Sequence, residues 1–440
     1  MICGPIRVAS FPRCPDHSGW CVEVEFLDRR GRLQRSTFPA LELVTRSGKF
    51  LTQLVDRGLA IHSAATGVAE LLGKWQRVGH SWRADCTGWF EAPAGRMSFV
   101  RAGGGVHQSC NAAAEPIVLA APPPAGSQIT GSLSGWQDEV AARALGNPAL
   151  IFAISAAVTG PLLRPAGVDT AGFNFFGPPS VGKSLLLRMA LSCSGDPARL
   201  VPWTAAQTGL HRLSTEAQDG LLPLDGFPRD PDARLIRALL ALADDAGAGR
   251  TDPAPDPDGG SRFRRIVLST SELPLATSLR RKKKDRPAAL ALRMIVIPAD
   301  HGCHGLVGNL QGHADGAAFA RSLERSMRRH HGHLLPAFLD RLIADLDQVT
   351  ADLSDALPRL SAEMESLLAA QETALPGALS RIAERFALVS HAGQRADPAG
   401  FVALRSGDRP RGGVASGLGV ARRGRHGPIS GSLLRGQQPQ

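Results

Sequence analysis

The residues best suited to chemistry lie in one short stretch. Phe173-Asn-Phe-Phe-Gly-Pro-Pro-Ser-Val-Gly-Lys-Ser184 places Gly177, Gly182, Lys183 and Ser184 at the spacing G-x-x-x-x-G-K-[ST]. An apolar run precedes the glycines and helical spacing follows from Lys183, so the pattern predicts strand, loop and helix in succession. In the loop Gly177-Pro178-Pro179-Ser180-Val181-Gly182, glycines let backbone N–H groups curl round a phosphate. The start of the helix, at Lys183, Ser184 and Leu185, adds further donors and a favourable dipole. Lys183 is expected to reach the β- and γ-phosphates and the Ser184 hydroxyl to bind Mg²⁺. ATP and Mg²⁺ are therefore the expected ligand and metal, although the spacing does not separate ATP from GTP.

Such a site needs a second acid to hold the metal. Gly220-Leu-Leu-Pro-Leu-Asp225 is an apolar run ending in a carboxylate, and Asp225 is the metal-side candidate with Ser184. The residue after it is Gly226, where many ATPases of this plan carry a Glu that polarises the attacking water. Asp219, Asp230 and Asp232 do not fall in that register, and Pro223 sits awkwardly inside a strand. A Gly226→Glu substitution is the simplest test of whether turnover is limited there. Arg265 to Glu272 reads as a third strand whose tip carries Thr270, placed to touch the γ-phosphate or the water, with Ser269, Ser271 and Glu272 nearby. A strand followed by a plain capping turn fits the same residues. Between this strand and the next, Arg293-Met-Ile-Val-Ile-Pro298, lies Arg280-Arg-Lys-Lys-Lys-Asp-Arg286, with six cations in seven residues. Ring ATPases insert an arginine from this segment into the neighbouring subunit's site, and Arg286 and Arg293 are the candidates. The lysine run itself reads either as a solvated loop or as a DNA-contacting one.

Other constellations are weaker. Cys3, Cys14, His17 and Cys21 have the residue types of a zinc site but no close C-x-x-C pair, and buried thiols with a loop His fit better. His301, Cys303 and His304 suggest a turn more than a metal triplet. His330, His331 and His333 continue a helix and read as a solvated face. Trp203 fits a buried wedge between helix and sheet better than a stacking platform.

These residues must be carried by a sizeable scaffold. With 440 residues, 43% apolar and 20% charged, the composition excludes disorder throughout. Tyr is absent, which excludes every mechanism with a tyrosine nucleophile. Seven scattered cysteines form no disulfide framework, and no run is long and apolar enough for a secretory signal or a membrane span, so a cytoplasmic protein is expected. The fold class expected is α/β: a P-loop NTPase core with a parallel sheet and flanking helices, because strands and helices alternate from Gly172 to Ala299. A small α+β domain (1–119) precedes it, with a hairpin from alternating residues at Trp20–Leu27 and Leu33–Phe38. A Pro/Gly-rich linker (120–134), the core (135–310) with helices at Trp136–Leu145 and Pro148–Leu163, and a helical region (311–400) follow. The helical region includes one long amphipathic stretch from Ala337 to Ala369. The segment 401–440 is expected to be disordered. From Arg405 onward it holds seven Arg against one Asp, most of the net charge of +10. It reads as a solvated tail, an altered reading frame or an arm for nucleic acid.

The chain resembles the bacterial "domain of unknown function 927" family, helicase-like P-loop proteins often associated with mobile elements. The resemblance covers most of Met1 to about Gly400. It is carried by Ile2-Cys-Gly-Pro5, Cys86-Thr-Gly-Trp89, Asn147-Pro-Ala-Leu150, Gly160-Pro-Leu-Leu-Arg164, Gly172 to Ser184, Leu268-Ser-Thr270 with Glu272, Arg293 to Asp300, and Arg381 to Leu388. It implies an AAA+-like or superfamily 3-like ATPase, a homo-oligomeric ring acting on single-stranded or forked DNA during replication of an element. The family usually has Asp-Glu where this chain has Asp225-Gly226. That leaves a rival expectation: a nucleotide-binding module, impaired in turnover, that gates assembly or partner binding.

Overall fold

The computed structural model describes residues 2–45, 48–62, 65–75, 79–93, 95–108, 115–120, 129–243, 263–280, 293–300, 303–369 and 376–396. Most of the expected linker, all of the 401–440 tail, His301 and Arg286 lie outside the described residues. The chain divides into two units, Met1–Ala125 and Gly126–Gln440.

In the first unit, strands β1 (Ile6–Arg13), β2 (Cys21–Leu27), β3 (Leu33–Pro39), β4 (His80–Ala84) and β8 (Ile117–Leu119) form one sheet in the order β3-β2-β1-β4-β8. β2 and β3 pair as the antiparallel hairpin expected from their alternation, while β4 runs parallel to β1. The alternation of β2 turns Val22, Val24 and Phe26 to the core and Glu23 and Glu25 to the other face, where each acid finds a partner: Ser10 donates to Glu23 at 2.6 Å, and Arg7 and Arg35 pair with Glu25. Helices α1 (Lys49–Asp56) and α2 (Ala65–Gly73) cover the sheet through Phe50, Leu54, Val68 and Leu72. A second sheet is the meander β5 (Gly88–Ala92), β6 (Arg96–Val100) and β7 (Val106–Gln108).

In the second unit, β9 (Ala171–Phe176), β10 (Val201–Pro202), β11 (Gly220–Phe227), β12 (Arg265–Ser271) and β13 (Met294–Pro298) form a fully parallel sheet in the order β10-β11-β12-β9-β13. Buried on both faces, β9 and the Ile266–Leu268 part of β12 read as apolar runs, as parallel strands covered by helices tend to. The connections run through α5 (Lys183–Ser192), α6 (Trp203–Glu216), α7 (Ala233–Ala243) and α8 (Leu275–Arg280). Ahead of the sheet stand α3 (Leu133–Glu139) and α4 (Pro148–Thr159). The expected helix at Trp136–Leu145 is instead α3 followed by a 3₁₀ turn over Ala141–Ala144, which leads to Asn147 at the start of α4. α4 is apolar all round and buried; its Phe152 ring lies 4.9 Å from that of Phe173 on β9.

Among the described residues, four helices follow the sheet: α9 (Gly316–Arg329), α10 (Leu334–Ala344), α11 (Leu346–Ala369) and α12 (Pro376–Ala396). The stretch expected to run unbroken from Ala337 to Ala369 is divided at Asp345, whose backbone leaves helical geometry while both sides stay amphipathic. Phe386 of α12 stacks against Phe173 at 5.4 Å, so the last helix reaches the sheet through α4's layer.

Candidate functional site

β9 ends at Phe176 and α5 starts at Lys183, so the glycine-rich segment bridges a strand end and a helix N-terminus. The Lys183 ammonium donates to the carbonyls of Gly177 at 2.7 Å and Pro178 at 2.6 Å, folding its side chain back along the loop. Burial holds this ammonium below the usual lysine range, opposed by the charges of Glu272 and Asp225. Ser180 adopts φ 65°, a left-handed conformation rare for a residue with a side chain.

Because β12 lies between β9 and β11, the ends of three strands converge. The Ser184 hydroxyl donates to one Asp225 oxygen at 2.9 Å, and the Thr270 hydroxyl donates to the other at 2.5 Å. Thr270 in turn accepts from the Gly226 N–H at 2.8 Å. That N–H is turned toward Thr270 by a break in register. Leu224 pairs with Ser269 but Phe227 pairs with Ser271, leaving one extra residue on β11 and Gly226 at φ 73°. A Glu at this position would have to adopt that left-handed conformation, so Gly226→Glu is not a clean restoration of an acid. Pro223 is accommodated because β10 is two residues long and pairs with Leu224 and Asp225; at Pro223, β11 is paired with β12 alone.

A cleft of about 940 Å³ opens over this cluster, lined by the loop from Pro179 to Leu185, by Asp225, Thr270 and Glu272, and by α9. Two ion pairs rim it, Arg229 with Glu272 and Arg188 with Glu324. Arg321 of α9 also lines it. Arg293 is not brought here. The pairing of Met294 with Gly172 sets it level with the start of β9, roughly 16 Å from the loop at about 3.3 Å per residue.

Several contributors were not visible in the sequence. The segment after β13 braces the loop: Leu306 N–H donates to the Val181 carbonyl at 2.8 Å, and Gly305 (φ 75°) lies so close that a Cβ would stand 2.4 Å from that oxygen. Asn147, fully buried, holds the brace in turn. Its side-chain oxygen accepts from Gly308 at 3.0 Å and Asn309 at 2.9 Å, and its amide donates to the Asn309 carbonyl at 3.0 Å. The Asn147-Pro-Ala-Leu150 segment was legible as a motif, but a partner some 160 residues away was not. Arg229, Arg321 and Glu324 carry no local signal at all.

The remaining constellations resolve as packing. Trp203 is fully buried and donates to the Ser269 hydroxyl at 2.8 Å. The three histidines are not a solvated face: α9 stops at Arg329, His331 is buried with its ring on the Met327 carbonyl, and His330 and His333 tie the 130–132 segment down. Among the described residues, no three His, Cys, Asp or Glu side chains converge as a metal-binding group. Among them, too, no helix is long and apolar enough to cross a membrane.

The chain is similar to a solved structure of SCCmec type IV Cch, an active helicase, with a TM-score of 0.63, 19% identity, and coverage of 90% of this chain and 70% of that one. At that identity the likeness speaks to the fold alone. No curated protein matches the chain. The family described as "Domain of unknown function (DUF927)" matches residues 1–252, a span that holds Lys183, Ser184 and Asp225 and more than half of the chain. This protein belongs to that family.

Proposed function

We propose that the cleft binds ATP with Mg²⁺ and that the protein is a helicase-like ATPase acting on DNA as a homo-oligomer. The observation that carries this reading is the convergence of Lys183, Ser184, Asp225 and Thr270 from three strand ends onto one cleft. A hydroxyl and a carboxylate 2.9 Å apart are hard oxygen donors of the kind Mg²⁺ takes alongside phosphate oxygens. In this reading Ser184 and Asp225 hold the ion, which when bound would offset charge on the phosphates. Gly177, Pro178, Pro179, Ser180, Val181, Gly182 and Leu185 shape the cradle. Lys183 exchanges its loop carbonyls for phosphate oxygens, and Thr270 senses the γ-phosphate through the Asp225 carboxylate. Arg286 or Arg293 serves the site of a neighbouring copy, for which a place remote from the chain's own loop is no obstacle. The N-terminal unit positions DNA or partner subunits, and the family resemblance points to replication of a mobile element as the setting.

Gly226 favours a second reading, in which ATP binds without useful turnover and gates assembly. Both are tested by ATP turnover with Mg²⁺, with and without single-stranded DNA, beside Lys183→Ala. Turnover that DNA stimulates and that Lys183→Ala abolishes supports the motor. Tight binding without turnover supports the gated module, and ATP affinity retained by Lys183→Ala sinks the site assignment.

A further inference from the structure

Hydrolysis is assisted by a carboxylate that can take a proton from water beside the γ-phosphate. Among the described residues, three acids line the cleft besides the missing one at Gly226. Asp225 has both oxygens engaged by the hydroxyls of Ser184 and Thr270. Glu324 is held on α9 by Arg188. Glu272 is paired with an arginine too, Arg229, but unlike Glu324 its position is set by the strands that carry Thr270 and the loop. It directly follows β12, whose last residue, Ser271, accepts from the Gly177 N–H at 3.2 Å. Glu272 therefore starts where the glycine-rich loop starts, two residues beyond Thr270. Its charge reaches the Lys183 ammonium more strongly than that of Asp225 does. Its side chain is 40% exposed, so water reaches it, and Arg229 pairs with it from the segment that follows β11.

We infer that Glu272 is the general base of this site, supplied by the strand next to the one that carries Asp225. The inference rests on the proposed nucleotide site. In the step, Glu272 accepts a proton from water as the water oxygen forms its bond to the γ-phosphorus. The bond from that phosphorus to the β–γ bridging oxygen breaks, and its electron pair leaves with ADP. The proton passes from Glu272 to solvent or to the released phosphate. Arg229 is a positioning residue that keeps the carboxylate at the rim.

The test compares full-length wild type with Glu272→Gln, measuring Mg-ATP turnover and, separately, affinity for a fluorescent ATP analogue. The expected result is a loss of turnover of about 10²- to 10⁴-fold with affinity within about threefold of wild type. Should the Gln variant not fold, Glu272→Ala is read the same way, and added formate is expected to restore part of its turnover. Wild-type turnover that the substitution leaves within about threefold overturns the inference and spares the nucleotide site. Loss of affinity in parallel with turnover, without formate rescue, overturns it as well, by making Glu272 a binding residue. A wild type that binds but does not hydrolyse overturns both the base and the ATPase reading, and one that does not bind ATP overturns the site itself.

Discussion

A buried amide at Asn174 sets the spacing on which the site depends. Its oxygen accepts from Ser269 at 2.9 Å and its amide donates to Ser271 at 2.8 Å, so β9 and β12 are stitched by side chains as well as backbone. Ser269 also accepts from the Trp203 indole, which makes it the hub of a fully buried network. Ser269→Ala leaves the Asn174 oxygen and the Trp203 N–H without this partner, and a stability loss of about 1–3 kcal/mol is expected in urea unfolding. Val in place of Asn174 should cost a comparable amount, measured in the same way. None of this was legible in the sequence, where Asn174 is one polar residue in an apolar strand. Lys183, Ser184 and Asp225 were legible because phosphate and metal binding demand fixed types at fixed local spacing. Glu272 was visible as an acid near a strand tip, but its pairing with Arg229 is set by tertiary contact.

Among the elements, the segment after β13 bears directly on the loop. It joins the loop through one backbone hydrogen bond, and Gly305 is the point of closest approach. Gly305→Ala meets both a left-handed backbone and the Val181 carbonyl, so the loop must shift. Nucleotide affinity should fall tenfold or more while far-UV circular dichroism stays native, since the contact is local; unchanged affinity in a binding titration would show that the loop tolerates the displacement. Element types followed from hydrophobic period at β2, β3 and α4, where burial is one-sided or complete. Breaks followed less well. Asp345 interrupts a pattern that stays amphipathic on both sides, and a dividing turn of that kind leaves no change of period to read. β1, central to its sheet, lacked a clean alternation because Pro5 and Pro12 and a bulge between Val8 and Ser10 punctuate it.

For the molecule as a whole, acid stability should depend on His391. This ring lies in α12, buried, with its Nε2 lacking a hydrogen-bond partner among the described residues. Burial lowers its pKa to about 4, assisted by the Arg395 guanidinium and opposed by Asp352 of α11. Unfolded, the ring titrates near its ordinary value of about 6.5, so between the two values the unfolded chain binds more protons. Stability is therefore present above pH 6.5 and lost as pH falls toward 4, by up to about 3 kcal/mol for the full shift. Thermal melts should show a larger fall in Tm from pH 7 to pH 5 for wild type than for His391→Leu; parallel slopes would assign the acid sensitivity to other groups. That the last helix reaches back to Phe173 was not foreseeable from the alternation of periods. The extra residue at Gly226 is a difference in length and not in kind, so no exchange of side chain can undo it. A relative without the bulge differs here by a deletion. If the two sequences are matched column by column across Asp225, residues past it that share a column no longer share a place in space.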